Sequence, residues 1–144
     1  MELAKTLLID ALFAEIVPEY PKLKIWKAAT LSADNLTGIA DYLLAPNQAY
    51  MSTPMLCVAE SKKDDFEQGT VQCIAEMAAF RWNNRQRNID IEVYGIVSNG
   101  QIWRFYKLTL EGDILKTGSY TTEFLPELLG VLDMICANCA KNAP

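Results

Sequence analysis

Three polar residues interrupt apolar segments in the first half of the chain, and their types suit hydrolytic chemistry. Asp41 follows Gly-Ile-Ala, whereas Glu60 and Lys62 end the run MLCVAESK. Because side chains two apart on a strand point to the same face, we expect Glu60 and Lys62 to lie together. If the strands carrying Asp41 and Glu60 are neighbours, their carboxylates can share Mg²⁺ or Mn²⁺. Lys62 would then orient or help deprotonate an attacking water, or stabilise charge on a phosphate.

The Glu-x-Lys spacing alone leaves two interpretations of this pair open. A Glu/Lys pair on one strand face is more often a solvated ion pair of little consequence. The pair lies, however, at the end of a run that otherwise favours burial, and this context favours a catalytic role.

The chain contains no histidine, which excludes several kinds of catalytic site. A Ser-His-Asp triad, a Cys-His pair and a His-ligated zinc deaminase all need that residue. Acid–base or metal chemistry must therefore use carboxylates, lysines, cysteines, tyrosines or water. The net charge of −5 argues against a purely electrostatic nucleic-acid binder, but it permits a basic patch beside an acidic metal site.

The length of 144 residues predicts a single domain over residues 1–144. Charged side chains interrupt the first helix, so it is not expected to be a signal-peptide core, and prolines break the uncharged run of residues 42–59. Cys136 and Cys139 have the spacing of a redox or zinc pair, but no second pair completes a tetrahedral site. We expect a reduced, cytoplasmic protein without a membrane span, and a thiol-redox function is the weakest alternative.

Hydrophobic periodicity and turn residues predict the order helix, three strands, helix, three strands, helix. The predicted strands cover residues 23–33, 38–45, 55–62, 91–98, 102–110 and 114–121. The predicted helices cover residues 2–17, 64–84 and 123 onward. This order predicts an α/β (α+β) fold with a central mixed sheet flanked by helices.

Apolar spacing also predicts which helix faces are buried. In the first helix, the stripe through Leu8 and Leu12 continues to Glu15, which places this carboxylate on the inward face. The core stripe predicted for the second helix comprises Val71, Ala75, Ala78 and Trp82. At the end of that helix, Arg81, Arg85 and Arg87 lie among asparagines, an arrangement that either binds phosphates or neutralises the helix C-terminus.

The element order, with an aspartate on the second strand and Glu-x-Lys on the third, resembles the PD-(D/E)XK nuclease superfamily, which has the restriction-endonuclease-like fold. Within it, the segments GIADYLLAP, VAESKKDDFEQGTVQCIAEM and VYGIVSNGQIWRFYKL are similar to a group of small bacterial proteins frequent in cyanobacteria. The resemblance covers residues 7–135. It implies an α-β-β-β-α-β core, extended here by further strands and a C-terminal helix.

The resemblance also implies roles for four residues of the strands. Asp41 corresponds to the motif aspartate, Glu60 to the acidic residue of (D/E)XK and Lys62 to its lysine. In the family the two carboxylates hold the metal, often with the backbone carbonyl of the intervening residue, here Ser61. The implied cofactor is Mg²⁺ or Mn²⁺.

Two helical residues complete the implied site. The first helix of the family commonly contributes a glutamate, for which Glu15 is the best match, and the second helix a glutamine, which Gln72 matches. Two positions depart from the family pattern: Ala40 replaces the motif proline, and Glu76 stands where some members have tyrosine. Neither departure removes a metal ligand.

The resemblance implies a Mg²⁺-dependent endonuclease whose substrate is nucleic acid, DNA being placed ahead of RNA. A small chain without a separate reading domain is expected to act as a homodimer or with a partner. The alternative is a catalytically inactive binding or assembly domain on the same fold.

Overall fold

The computed structural model describes the backbone of residues 2–33, 36–62 and 65–144, and the side chains within these ranges from Leu7 onward, except that of Leu36. The helices are α1 (Glu2–Ile16), α2 (Phe66–Gln86) and α3 (Leu125–Asn142), with short 3-10 helices at Val17–Glu19 and Thr122–Phe124. The strands are β1 (Leu23–Ala33), β2 (Leu36–Pro46), β3 (Cys57–Ser61), β4 (Val93–Ser98), β5 (Ile102–Leu108), β6 (Ile114–Lys116) and β7 (Tyr120–Thr121).

In the described part of the chain, the strands form one seven-stranded mixed sheet in the order β1-β2-β3-β4-β5-β6, with β7 also paired to β5. The pairs β1–β2, β2–β3 and β4–β5 are antiparallel, whereas β3 and β4 are parallel. Parallel neighbours need a long crossover connection, and α2 supplies it. The predicted α+β class with a mixed sheet and flanking helices is confirmed.

The helices cover the two faces of the sheet and create two cores. On the first, the α1/α3 face, residues of α1 and α3 pack against Tyr42, Leu44 and Trp103. On the second, the α2 face, residues of α2 pack against Leu43, Val58 and other strand residues. No helix among the described residues combines the length and apolar character needed to cross a membrane.

The β1–β2 hairpin changes its face orientation partway along. Leu23 of β1 lies in the α1/α3 core and Leu31 in the α2 core, although an even number of residues separates them. Regular alternation would place both on one face. The reversal falls at Ala28, whose φ is +50°, and at Asp41 opposite it, between the pairs Lys27–Tyr42 and Ala29–Ala40. Asp41 therefore lies where the hairpin twists over α2.

The prediction that Glu15 faces inward is wrong. Its side chain is exposed, as is that of Ala11, whereas Ile9, Leu12, Phe13 and Ile16 form the buried stripe of α1. The inward stripe is therefore rotated by about one residue from the predicted one, because the apolar residues at the start of α1 allow either choice.

The core stripe predicted for α2 is also wrong, since all four of its members are exposed. Val71 is 69% and Trp82 is 42% exposed. The buried face of α2 instead comprises Gly69, Cys73, Glu76, Met77, Ala79, Phe80 and Asn84. Because this face includes a carboxylate and an amide, apolar periodicity selects the wrong side of the helix.

The turns agree with the sequence where they are described. The turn at Asn99-Gly100 is confirmed, with Asn99 N donating to Ile102 O at 3.2 Å and Gly100 at φ +94°. The predicted turn at Asp34-Asn35 and the predicted helix start at Asp64 lie outside the described residues. Asp65 caps α2, because its carboxylate accepts a hydrogen bond from Gln68 N at 2.9 Å.

Candidate active site

Asp41 and Glu60 lie side by side at the end of the β2–β3 ladder. The Glu60 Oε2 atom accepts a hydrogen bond from Asp41 N at 2.9 Å, and Asp41 Oδ2 accepts one from Ser61 N at 2.8 Å. The last paired residues before them are Tyr42 and Ala59. The two carboxylates therefore replace ladder hydrogen bonds, which fixes each of them against the backbone of the neighbouring strand.

Glu76 of α2 joins this pair, although it is not among the site residues predicted from the sequence. Glu60 is 1% and Glu76 is 5% exposed. Their carboxyl groups lie within hydrogen-bonding reach of each other. When both carboxyl groups are ionised, neither can donate a hydrogen bond to the other. The Oε1 atom of each then lacks a hydrogen-bond partner among the described residues. The signal that could have identified Glu76 is an acidic residue on the helix face that packs against a strand acid.

This environment favours the protonated form of both glutamic acids. Burial raises the pKa of Glu60 to about 8; the charges of Glu76 and Asp41 also raise it, and the hydrogen bond from Asp41 N opposes the shift. Burial also raises the pKa of Glu76 to about 7, against hydrogen bonding from Gln72 and the charge of Lys62. A proton or a cation held between these groups would remove the repulsion.

Lys62 follows β3 directly, and its side chain passes over α2. A Cβ atom at Gly69 would lie 2.5 Å from Lys62 Cγ and 3.1 Å from Lys62 Cβ. The absence of a side chain at Gly69 therefore provides the space that the stem of Lys62 occupies. None of the ion pairs in the described part of the chain involves Lys62. Its charge opposes the rise that burial causes in the pKa of Glu76, so Lys62 acts on the cluster without forming an ion pair with it among the described residues.

The structure brings one of the two predicted helical residues to the site. Gln72 Nε2 lies 3.5 Å from Glu76 Oε2, which places Gln72 beside the cluster but is longer than an ordinary hydrogen bond. Glu15 is not part of the cluster, because α1 packs on the α1/α3 face and Glu15 points outward from it.

The donor atoms present suit a divalent cation. Glu60 Oε1 and Glu76 Oε1 are buried oxygen atoms without hydrogen-bond partners in the described ranges. Within those ranges, no group of three or more acidic or cysteine side chains is arranged to hold a metal ion. Magnesium, however, is usually bound through one or two carboxylates together with waters and substrate phosphates. Asp41 and Glu60 would meet that smaller requirement.

A cavity of about 230 Å³, here called the Glu76 cavity, adjoins the cluster. Gln72, Ala75 and Glu76 of α2 line one side, and Leu31 and residues 37–39 of the hairpin line the other. Glu76 and Gln72 are thus reached from this cavity. Asp41 and Lys62 are themselves only half-buried.

The Cys136 and Cys139 thiols form no comparable site. Both are buried in the core of the α1/α3 face and neither forms a disulfide. Burial raises the pKa of Cys136 to about 12 and that of Cys139 further. Since the thiolate is the reactive form, this environment opposes redox chemistry.

Together, three carboxyl groups and one ammonium group at the end of β3 can bind a cation, hold a proton and contact a phosphate. The cluster combines Asp41, Glu60 and Lys62, three of the residues selected from the sequence, with Glu76. The chain matches no protein-family model, no curated protein and no solved structure.

Proposed function

We propose that the chain is a Mg²⁺- or Mn²⁺-dependent nuclease with a PD-(D/E)XK, restriction-endonuclease-like core, which hydrolyses phosphodiester bonds of DNA or RNA. The observation that carries the proposal is the reciprocal bonding of Asp41 and Glu60 beside Lys62, which has no described ion-pair partner. The order α1, antiparallel β1–β3, α2 and parallel β4 supports the resemblance seen in the sequence.

Each residue of the cluster has a role in this reaction. Asp41 and Glu60 would hold the cation with the backbone carbonyl of Ser61. A bound divalent ion supplies charge stabilisation at a phosphate and lowers the pKa of a coordinated water. Lys62 orients the attacking water or stabilises negative charge on the phosphate. Glu76 adds negative charge that strengthens cation binding.

Metal binding provides the first test, by calorimetry with Mg²⁺ and Mn²⁺ and no nucleic acid present. We expect binding by the wild type and its loss in Asp41→Asn. Asp10→Ala is the matched control, since Asp10 is a partly exposed acid on the other face of the sheet. Absence of binding by the wild type contradicts the proposal.

Cleavage of single-stranded, duplex and branched DNA and RNA provides the second test. Lys62→Ala should lower the cleavage rate without removing metal binding, because Lys62 acts on the water or the phosphate. Lys27→Ala is the control, because Lys27 pairs with Asp10 on the opposite face. A cleavage rate that is unchanged in Lys62→Ala contradicts the role assigned to this lysine.

The exposed stripe of α2 favours one second candidate, a catalytically inactive assembly domain. This stripe, defined by Val71, Ala75, Ala78 and Trp82, leaves apolar side chains in contact with solvent. An assembly domain predicts no metal binding by the wild type, together with self-association in sedimentation that Val71→Ser weakens.

A further inference from the structure

A cavity of about 780 Å³ lies between α2, β1 and the loop before β3, and it is here called the Trp82 cavity. Its lining combines Trp82, Asn83 and Gln86 of α2, and Arg87 directly after that helix, with Thr30 and Ser32 of β1 and with side chains of the loop 51–55. The volume falls within the range of ligand sites, about 300–1,000 Å³.

The lining mixes polar and apolar side chains and carries a positive charge. Six of its side chains have a hydroxyl or amide group, and Arg87 is the only ionisable side chain among the described lining residues. This composition contrasts with the net charge of −5 of the whole chain. None of the hydrogen bonds and ion pairs of the described side chains involves the exposed Arg87 guanidinium. Its charge is therefore available to a ligand.

The basic, amide-rich end of α2 divides into residues that build the fold and residues that line the cavity. Asn84 is buried; its Oδ1 accepts from Met55 N at 2.8 Å and its Nδ2 donates to Met55 O at 2.9 Å. Arg85 Nε pairs with Asp90 Oδ1 at 3.0 Å. Asn84 thereby fixes the loop 51–55 against α2, whereas Arg87, at the rim of the cavity, forms no ion pair with any described residue.

An aromatic ring, a free guanidinium and neighbouring amides together suit a single-stranded nucleic acid. Trp82 is 42% exposed, which leaves ring surface on which a base can stack. Arg87 can contact a phosphate, and Asn83 and Gln86 can bond to base edges or sugar hydroxyls. A cavity of about 780 Å³ has room for one unstacked nucleotide, whereas the bases of a duplex are stacked and paired and do not present a free ring face to Trp82.

The Trp82 cavity lies on the same side of α2 as the Glu76 cavity. Trp82 and Asn83 follow Ala75 and Glu76 by seven residues, which is two helical turns. The rise over this distance is about 10 Å, or about three phosphates at the spacing of a stacked strand. A strand whose phosphate lies at the Glu76 cavity can therefore extend along α2 to Trp82.

We propose that the Trp82 cavity binds a nucleotide of a single-stranded nucleic acid a few residues away from the bond that is hydrolysed. The direction in which the strand runs, from the hydrolysed bond to Trp82, rests on the proposed nuclease function. The carboxylate cluster alone does not distinguish single-stranded from duplex nucleic acid, whereas the Trp82 cavity favours the single strand.

Binding of fluorescein-labelled oligo(dT) and oligo(rU), measured by anisotropy in EDTA, tests this proposal without cleavage. We expect Trp82→Ala to weaken binding about fivefold or more, because one stacking contact is lost. Arg87→Ala should weaken binding and reduce the slope of log K against log salt by about 0.7, the value for one phosphate contact. Phe124→Ala and Lys22→Ala are the controls, since they remove an exposed aromatic and an exposed cation elsewhere.

Trp82→Phe keeps an aromatic face and should retain most of the affinity, which separates stacking from a folding defect in Trp82→Ala. Unchanged binding in both Trp82→Ala and Arg87→Ala overturns the proposal, even if the enzyme cleaves nucleic acid. Equal affinity for duplex, absence of any oligonucleotide binding, or an effect of Trp82→Ala on self-association alone also overturns it. The proposed function is decided separately by the metal calorimetry, which needs no oligonucleotide.

Discussion

Two clusters of ionisable side chains lie on opposite faces of β2, and only one of them is balanced in charge. On the α1/α3 face, Asp10 accepts hydrogen bonds from Lys27 Nζ at 2.9 Å and from Tyr42 OH at 2.7 Å. On the α2 face, Glu60 lies against Glu76, and no cation lies within ion-pair distance of either among the described residues.

The two environments shift acid pKa values in opposite directions. Burial acts to raise the pKa of Asp10, but the hydrogen bonds from Lys27 and Tyr42 prevail and lower it. Burial raises the pKa values of Glu60 and Glu76; the charge of Asp41 adds to both shifts, and the charge of Glu76 adds to that of Glu60. A partly exposed, paired carboxylate is an ordinary structural feature. A buried, unneutralised carboxyl pair costs stability, and such pairs are concentrated at functional sites.

The largest expected difference between the clusters is in catalysis. Glu60→Gln removes an anionic metal ligand but keeps the shape of the side chain. We expect the cleavage rate at saturating Mg²⁺ to fall about 100-fold or more. Asp10→Ala should change the rate less than about twofold, because Asp10 lies on the other face of the sheet. Comparable losses in the two variants would mean that the clusters do not differ in function.

A smaller loss is expected when the position of Lys62 is disturbed while its charge is kept. Gly69→Ala places a methyl group where the Lys62 stem lies, so the side chain must move. A displacement of about 1 Å at a reacting group can cost about 100-fold in rate, and we expect a loss of about 10- to 100-fold. Gly118→Ala is the control, since nothing lies within 4 Å of a Cβ atom there. Metal affinity should be unchanged in both variants, and a parallel loss of affinity would contradict the positioning role.

The strands that carry the site residues were predictable from the sequence because they are short apolar runs bounded by turn residues. β2 spans residues 36–46 where residues 38–45 were predicted, and β3 ends within one residue of the predicted position. Since Asp41 and Glu60 interrupt these runs, they were identified without knowledge of the pairing. The predicted α+β class follows from the same element order.

The helix faces were not predictable, because the site itself changes the pattern. α2 buries Glu76 and Asn84, whereas Val71 is exposed, so its most apolar stripe is not its core stripe. Glu15 was selected by the same kind of spacing in α1, and it is exposed. Local hydrophobicity therefore fails where burial depends on a polar partner from another element.

Between pH 5 and pH 8, stability should depend on pH at the Glu60–Glu76 pair but not at Asp10, whose lowered pKa keeps it ionised over this range. A carboxyl group whose pKa is raised in the folded state stabilises it while protonated, and this contribution is lost as pH rises through the folded pKa. The metal-free wild type should therefore lose stability between about pH 4.5 and pH 8. Glu76→Gln removes the repulsion and should raise the free energy of unfolding at pH 8 by about 1–3 kcal/mol.

Asp10→Ala should change the free energy of unfolding in the opposite direction to Glu76→Gln. It removes hydrogen bonds to Lys27 and Tyr42 and should lower the free energy of unfolding by about 1 kcal/mol at pH 8. Urea denaturation of both variants at pH 5 and pH 8 measures these differences. If Glu76→Gln destabilises the protein at pH 8 as much as Asp10→Ala does, the Glu60–Glu76 pair is not repulsive.

The smallest expected effect concerns Ala28, which lies opposite Asp41 where the hairpin reverses its faces. At φ +50° an L-residue is strained by about 1 kcal/mol, and glycine is not. Ala28→Gly should therefore leave the free energy of unfolding unchanged or raise it by up to about 1 kcal/mol, whereas Ala28→Val should lower it by about 1–2 kcal/mol. Ala29→Gly, one residue along in ordinary strand geometry, should instead destabilise by about 1 kcal/mol. If both glycine variants lose stability equally in urea denaturation, the reversal at Ala28 does not determine how Asp41 is presented to Glu60.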